Sequence, residues 1–342
     1  MPFISALIIG VLAVVALANP TARALRPPPS SALVVTSTTN GIVRVLPPGK
    51  EMGVKLGGPA ALAAHPSLPL LYASTEYGKR DGQLVVLSRT GRKLSEVGSL
   101  KVGGTGSVAI GVNPDGRSLV IAHYRSGSIS VVALNAAGRP TSSVTVAMPK
   151  PKALPHSAVF SGESWLITDL RNDRIDVLGG TVSEPRFDVP ILVQPLDGPR
   201  SLALVGDREI LVSNENSDSL TCYQRTAGRW TEAGRITFSA ARGGTKGRPA
   251  EVVVLNPTVA VVAERKPDEL VVIDLSLGCK MTERRRVADV IDGPRSLARR
   301  GSELWASTSI GLVTTDTAQL ALEDPDWAIE PATAVHAIVV VG

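Results

Sequence analysis

The sequence predicts an all-β fold, a seven-bladed β-propeller with four antiparallel strands per blade. Three observations support this prediction. A phrase that leads into a short apolar strand recurs at steps of 49, 48, 43, 49 and 46 residues. Polar turns rich in Gly, Pro, Asn and Asp separate the apolar runs, as expected for hairpins. No segment shows the sustained 3.6-residue apolar period of an amphipathic helix. A four-stranded unit repeated every 40–50 residues or so is typical of a propeller blade.

Each repeat is expected to form one blade. In the second repeat, a first strand from Ser107 is followed by the turn 113–117, a second strand 118–124, the turn 125–127 and a third strand 128–134. A fourth, more variable strand completes the unit. The six recurring phrases start at Gly58, Ser107, Pro155, Gly198, Gly247 and Gly293.

The two ends of the chain are expected to share a seventh sheet. Residues 32–36 and 41–46 have the pattern of a second and a third strand without a first. The apolar run 334–341 at the C-terminus is the candidate for that missing innermost strand. Closing the ring with both ends removes the open sheet edge that invites aggregation.

The N-terminal segment predicts export. Residues 2–18 are apolar but too short for a comfortable membrane span. Ala22-Arg-Ala24 supplies a small-x-small cleavage pattern. We expect residues 1–24 to be a signal peptide, 25–31 a flexible leader and 32–342 a single propeller domain. An uncleaved anchor is the alternative. The predicted protein is a secreted or periplasmic monomer with no other stable membrane insertion.

The distribution of charge and the number of cysteines limit the kinds of partner and of metal site that we expect. The net charge of +5 is dispersed, and residues 284–286 are the only dense basic run. No nucleic-acid-binding motif accompanies it, so we expect no nucleic-acid partner. Cys222 and Cys279 are the two cysteines. Export permits a disulfide between them, but two buried thiols fit the sequence equally well. No residue pattern calls for a metal or a cofactor.

Polar residues are expected to converge on one face of the ring. In a hairpin, the start of one strand lies beside the end of its partner. His156, Arg200 and Arg295 stand at the starts of first strands. Glu215 and Arg265 stand at the ends of second strands. These five side chains should therefore lie around one mouth of the central channel.

Such a group suits an anionic ligand. Two arginines can bind a carboxylate and stabilise a developing oxyanion. A carboxylate or an imidazole can move a proton. The competing interpretation is structural: Arg200, Glu215 and Arg265 would form ion pairs that join blades, and His156 would cap a strand.

The chain resembles the lactonase family of seven-bladed propellers, which includes bacterial 6-phosphogluconolactonases and fungal carboxy-cis,cis-muconate cyclases. The resemblance covers about Gly58 to Thr317. It is carried by residues 112–131, by residues 165–175, and by the phrases that contain Arg200 and Glu215.

The resemblance implies a site. The cyclase branch has a His, Arg, Glu and Arg set, which implies His156, Arg200, Glu215 and Arg265 as catalytic residues. Arg295, Ser201 and His123 are then candidates for substrate binding. The chain departs from the phosphogluconolactonase-like pattern at two of these positions. Ser201 stands where that pattern usually has His, and His123 stands where it commonly has Asn.

Three functions remain open at this point. The first is a hydrolase that opens a sugar lactone or another anionic lactone. The second is a non-catalytic propeller outside the cytosol that binds a ligand or a protein, because one fold can host many functions. The third is a cycloisomerase that forms a lactone from an unsaturated diacid. In each enzyme hypothesis the partner is a small lactone or carboxylate.

Overall fold

The fold is an all-β propeller, as the sequence predicts. A computed structural model describes residues 33–38, 42–46, 54–56, 59–75, 82–91, 93–241, 243–244, 246–288, 292–309, 311–321, 328–331 and 335–341. The described strands form seven antiparallel sheets, six with four strands and one with five. The expected signal peptide and leader, residues 1–31, lie outside the described residues. Among the residues that the structure describes, no helix is long and apolar enough to span a membrane.

Three blades come first in chain order. Blade 1 comprises β4 (Pro59–Ala64), β5 (Leu70–Thr75), β6 (Gln83–Thr90) and β7 (Lys93–Lys101). Blade 2 comprises β8 (Ser107–Val112), β9 (Ser118–His123), β10 (Ser128–Leu134) and β11 (Pro140–Ala147). Blade 3 comprises β12 (Pro155–Ser161), β13 (Ser164–Asp169), β14 (Arg174–Gly180), β15 (Pro185–Phe187) and β16 (Ile191–Leu192).

Three further blades follow in chain order. Blade 4 comprises β17 (Pro199–Val205), β18 (Glu209–Asn214), β19 (Ser219–Thr226) and β20 (Arg229–Thr237), followed by the short helix α1 (Phe238–Ala241). Blade 5 comprises β21 (Pro249–Asn256), β22 (Val259–Glu264), β23 (Glu269–Ser276) and β24 (Lys280–Val287). Blade 6 comprises β25 (Leu297–Arg300), β26 (Glu303–Ser307), β27 (Gly311–Asp316) and β28 (Ala328–Pro331), with a 3-10 helix at Gln319–Ala321.

The closing sheet combines both ends of the described chain. It contains β1 (Leu33–Thr38), β2 (Ile42–Leu46), β3 (Val54–Lys55) and β29 (Val335–Val341), in the order β29-β1-β2-β3. Strand β29 pairs with β1 and contacts the first strands of blades 1 and 6. The innermost strands of the seven sheets therefore contact one another in a complete circuit.

The core lies between neighbouring blades. Each hydrophobic cluster takes side chains from two adjacent sheets, as in the group around Tyr72 and Ile121 between blades 1 and 2. Central strands are covered on both faces, so β22 is buried along its whole length. Outer strands such as β7 are mostly exposed or partly buried, and β7 has a single buried residue, Leu94. This pattern explains why the central strands read as continuous apolar runs rather than as alternating ones.

A disulfide bond joins two blades. Cys222 on β19 is bonded to Cys279, which precedes β24, with Cα atoms 5.5 Å apart. The sequence left open whether these cysteines bond. Glu209 lies close to both sulfur atoms, but the disulfide occupies both thiols, so this cluster offers no thiolate to a metal.

Candidate active site

A β-bulge recurs near the start of the first strand. The pairing register of β12 shifts at His156 and that of β17 shifts at Arg200, because each residue is inserted without a partner on the next strand. The same shift occurs at Val108 in β8 and at Ala60 in β4. Bulges re-aim side chains beside active sites. In this ring, the bulge turns the side chains of Val108, His156 and Arg200 toward the central cavity that they line.

Three aspartates fix the backbone position at the start of blades 4, 5 and 6. Each lies in the turn between the second and third strand of one blade, with a positive φ of 50° to 70°. Its carboxylate accepts a hydrogen bond from a glycine N–H that precedes the first strand of the next blade. The three pairs are Asp173 with Gly198 at 2.8 Å, Asp218 with Gly247 at 2.7 Å and Asp268 with Gly293 at 2.9 Å. The position of Arg200 therefore depends on a turn in blade 3.

Glu215 holds two arginines together. Its Oε2 atom lies 2.6 Å from Nη1 of Arg200, and its Oε1 atom lies 2.7 Å from Nη2 of Arg265. Arg200 and Glu215 belong to blade 4, whereas Arg265 follows β22 of blade 5. The three side chains are only 15%, 16% and 17% exposed. The Nε atom of Arg265 is buried with no hydrogen-bond partner among the described residues.

The protonation states follow from this arrangement. Burial tends to raise the pKa of Glu215, but Arg200 and Arg265 outweigh it and hold that pKa below its ordinary value. Burial and the nearby charge of Arg265 lower the pKa of Arg200 to about 10, even though Glu215 acts in the opposite direction. At neutral pH the cluster is a carboxylate between two guanidinium groups, with a net positive charge.

His156 is a neutral base beside these cations. Burial, and then the charges of Arg200 and Arg265, lower its pKa well below 6.5. Its ring packs edge-on against Tyr124, with ring centroids 5.8 Å apart. Both rings line the same cavity as Arg200 and Glu215. An imidazole that stays unprotonated at neutral pH can accept a proton from water.

The cavity collects most of the predicted site residues. It has a volume of about 620 Å³ and is lined mainly by the first strands of the blades. His156, Arg200, Glu215, Arg265, Arg295 and Ser201 all line it.

His123 does not belong to this group, and its prediction as a substrate-binding residue is wrong. Its side chain is fully buried inside blade 2, where its ring nitrogens lie 3.1 Å from Ser107 Oγ and 2.7 Å from Ser130 Oγ. Burial lowers its pKa to about 4. His123 therefore has a structural role as a neutral hydrogen-bonding residue.

Glu251 is a lining residue that the sequence analysis missed. Its Oε2 atom accepts a hydrogen bond of 2.8 Å from the N–H of Leu297 in blade 6, and burial raises its pKa. It sits two residues after Pro249, whereas His156 and Arg200 each directly follow a proline. A proline thus marks the start of the first strand in all three blades. Aligning the blades on this proline would have identified Glu251 as a candidate lining residue.

Comparison with known proteins agrees with this architecture. The family model described as "Lactonase, 7-bladed beta-propeller" matches residues 36–309. No curated protein sequence matches the chain.

Solved structures share the fold at low identity. A periplasmic gluconolactonase from Pseudomonas aeruginosa is 16% identical, with a TM-score of 0.78 over 91% of this chain and 99% of that one. A Bacteroides fragilis protein assigned as a 6-phosphogluconolactonase is 15% identical, with a TM-score of 0.78 over 93% and 100%. A virginiamycin B lyase from Staphylococcus aureus is 12% identical, with a TM-score of 0.61 over 88% of each chain. At these identities the likeness concerns the fold.

Proposed function

Because this chain belongs to the lactonase family of 7-bladed β-propellers, we propose that it hydrolyses a lactone that carries an anionic group. The observation that carries the proposal is the Arg200–Glu215–Arg265 cluster beside a neutral His156 in one cavity. Four arginines and two glutamates line this cavity, with Arg125 and Arg295 completing the cationic set. This excess of positive charge favours an anionic substrate.

His156 acts as the general base in this proposal. It takes a proton from water while the water oxygen forms a bond to the lactone carbonyl carbon. Arg200 and Arg265 stabilise the negative charge that develops on the carbonyl oxygen. The ring C–O bond then breaks, and the proton held by His156 passes to the departing ring oxygen. The product is an open-chain hydroxy acid.

Glu215 positions the arginines rather than serving as the base. Both of its oxygens contact guanidinium groups, at 2.6 and 2.7 Å. Its lowered pKa makes it a weak proton acceptor. The pKa of His156 is lowered as well, but its ring is not held between two guanidinium groups as the Glu215 carboxylate is, so His156 is the better base of the two.

Hydrolysis is favoured over lactone formation from an unsaturated diacid. Adding a carboxylate across a double bond requires delivery of a proton to carbon. At neutral pH neither His156 nor Glu215 carries a proton to deliver, because the pKa of each is held below its ordinary value. Burial raises the pKa of Glu251, the other carboxyl group of the cavity, but the hydrogen bond from the N–H of Leu297 favours its carboxylate form. Product analysis with muconate-type diacids tests this choice, and appearance of a lactone would reverse it.

The test of the proposal is a pH-stat assay with a panel of sugar-acid lactones. Loss of a general base typically costs a factor of about 10² to 10⁴ in rate, so His156→Gln should lower kcat by at least about 100-fold. His65→Asn is the matched control, since His65 accepts backbone hydrogen bonds at Nδ1 and does not line the cavity. Equal rates for wild type and His156→Gln would remove His156 from the mechanism. Carboxylate binding without turnover would favour a non-catalytic binding protein.

We further propose that the protein works outside the cytosol. The Cys222–Cys279 disulfide supports this, because such bonds persist in oxidising compartments. The apolar segment 2–18 and the small-x-small pattern after it support export as well. Fractionation of the native host with a periplasmic marker tests the location, and recovery of the protein with cytosolic markers would overturn it.

A further inference from the structure

The cavity wall is divided into a charged and an apolar sector. Blades 3 to 6 contribute its charged and imidazole side chains, among them His156, Arg200 and Arg295. The opposite arc is mainly apolar: Ile338 comes from the closing sheet, Leu62 from blade 1, and residues 108–110 from blade 2, beside the polar Ser107 and Tyr124. Blades 3 to 5 also add apolar residues to the charged sector, namely Ala158, Val159, Leu202 and Ala250. Arg125, which follows β9, is the one charged residue that blade 2 adds to the described lining.

The division is sharpest at the level of the bulge. Going round the ring, Val108 occupies in blade 2 the inserted position that His156 occupies in blade 3 and Arg200 in blade 4. Val108 is partly exposed although it is apolar, and it faces the cavity. A ligand held by the arginines would therefore have an apolar wall across from its anionic end.

The cavity is also larger than a simple sugar lactone requires. Its volume of about 620 Å³ would hold roughly twenty water-sized atoms at about 30 Å³ each, against about twelve non-hydrogen atoms in a six-carbon sugar lactone. Cavities of about 300–1,000 Å³ are typical for ligands of drug size. The surplus room lies in a pocket whose wall is apolar on one side.

We infer that the preferred substrate is a lactone with an anionic group at one end and an aryl or branched alkyl substituent at the other. This inference rests on the proposed lactone hydrolysis and names its substrate class. The lactone carbonyl would face Arg200 and Arg265, the anionic end would contact Arg295 in the same charged sector, and the apolar substituent would pack on Val108 and Ile110. Burying an aromatic ring there removes apolar surface from water, and that gain distinguishes the amphipathic ligand from a plain sugar acid.

Matched ligands test the inference without requiring turnover. D-glucuronate and phenyl β-D-glucuronide share one anionic sugar and differ in the phenyl group. Isothermal titration calorimetry should give a Kd at least tenfold lower for the phenyl compound. Val108→Ser should weaken binding of the phenyl compound at least about threefold more than it weakens binding of glucuronate. The near-isosteric Val108→Thr keeps the shape and should lie between Val108→Ser and wild type. Val189→Ser is the control, because Val189 is 86% exposed and lies outside the cavity lining.

The outcomes separate this inference from the proposed function. Equal affinity for the two ligands, an equal loss for both in Val108→Ser, or no binding of either ligand would overturn the inference. If small lactones are hydrolysed and the phenyl group brings no advantage, the inference alone fails. If the phenyl compound binds selectively and no lactone is hydrolysed, the proposed hydrolysis fails, while the apolar contact at Val108 stands as a ligand-binding feature.

Discussion

Replacing Glu215 by glutamine removes the one negative charge between two guanidinium groups. Opposite unit charges about 4 Å apart attract by about 4 kcal/mol at an effective dielectric constant of about 20. Glu215 forms two such pairs, with Arg200 and Arg265. Breaking a buried ion pair from one side typically costs about 3–5 kcal/mol. The three side chains are still 15–17% exposed to solvent. Because solvent screens their charges, we expect a loss of unfolding free energy near the lower end of that range, at about 3 kcal/mol.

Urea unfolding of wild type and Glu215→Gln measures this loss. A sharper expectation concerns anions. A bound carboxylate or phosphate would replace the missing charge, so each should stabilise Glu215→Gln more than it stabilises wild type. Glu209→Gln is the matched control, because Glu209 begins the strand that ends directly before Glu215 and its carboxylate accepts a hydrogen bond from the neutral Gln224. A loss below about 1 kcal/mol, or the same anion effect in both proteins, would refute the proposed role of Glu215.

Three further predictions follow from the described groups. The value of kcat/KM should stay level as the pH falls to well below 6.5, since His156 remains unprotonated there, and should decline above about pH 10 as Arg200 loses its proton; a decline centred at pH 6.5 would contradict the role of His156. Between pH 7 and pH 4, His123 should cost wild type about 3 kcal/mol of unfolding free energy, because the unfolded chain takes up a proton near pH 6.5 and the folded chain only near pH 4; His123→Gln should lose correspondingly less, and an equal loss would contradict this. The Cys222→Ser/Cys279→Ser double variant should lose up to about 4 kcal/mol by denaturant unfolding, given the 57-residue separation of the cysteines; unchanged stability would show that the bond does not constrain the unfolded chain.

The sequence was sufficient to predict the meeting of Arg200 with Glu215. Antiparallel pairing alone places the start of β17 beside the end of β18. The contact of Glu215 with Arg265 also depends on the distance between blades 4 and 5. That distance cannot be predicted from the geometry of a single hairpin. The sequence could still place Arg265 at the same mouth of the channel, because the repeat spacing aligns the end of the second strand in blade 5 with the end of the second strand in blade 4.

Other features needed the three-dimensional arrangement. His123 ends β9 much as Asn214 ends β18, but its side chain turns inside the blade to Ser107 and Ser130. Neither serine signals that choice in the sequence. The bulges were invisible for a similar reason, because one inserted residue does not disturb an apolar run as short as six or seven residues.

The bulged residues make this ring adaptable in its chemistry. Val108, His156 and Arg200 each stand outside the hydrogen-bond ladder of their strands. Exchanging such a side chain alters what the channel recognises while the backbone pairing of the blade is left in place. Substrate selectivity could therefore be engineered one blade at a time. Relatives with the same fold could diverge in substrate through substitutions at these positions, with the strand pairing of each blade unchanged.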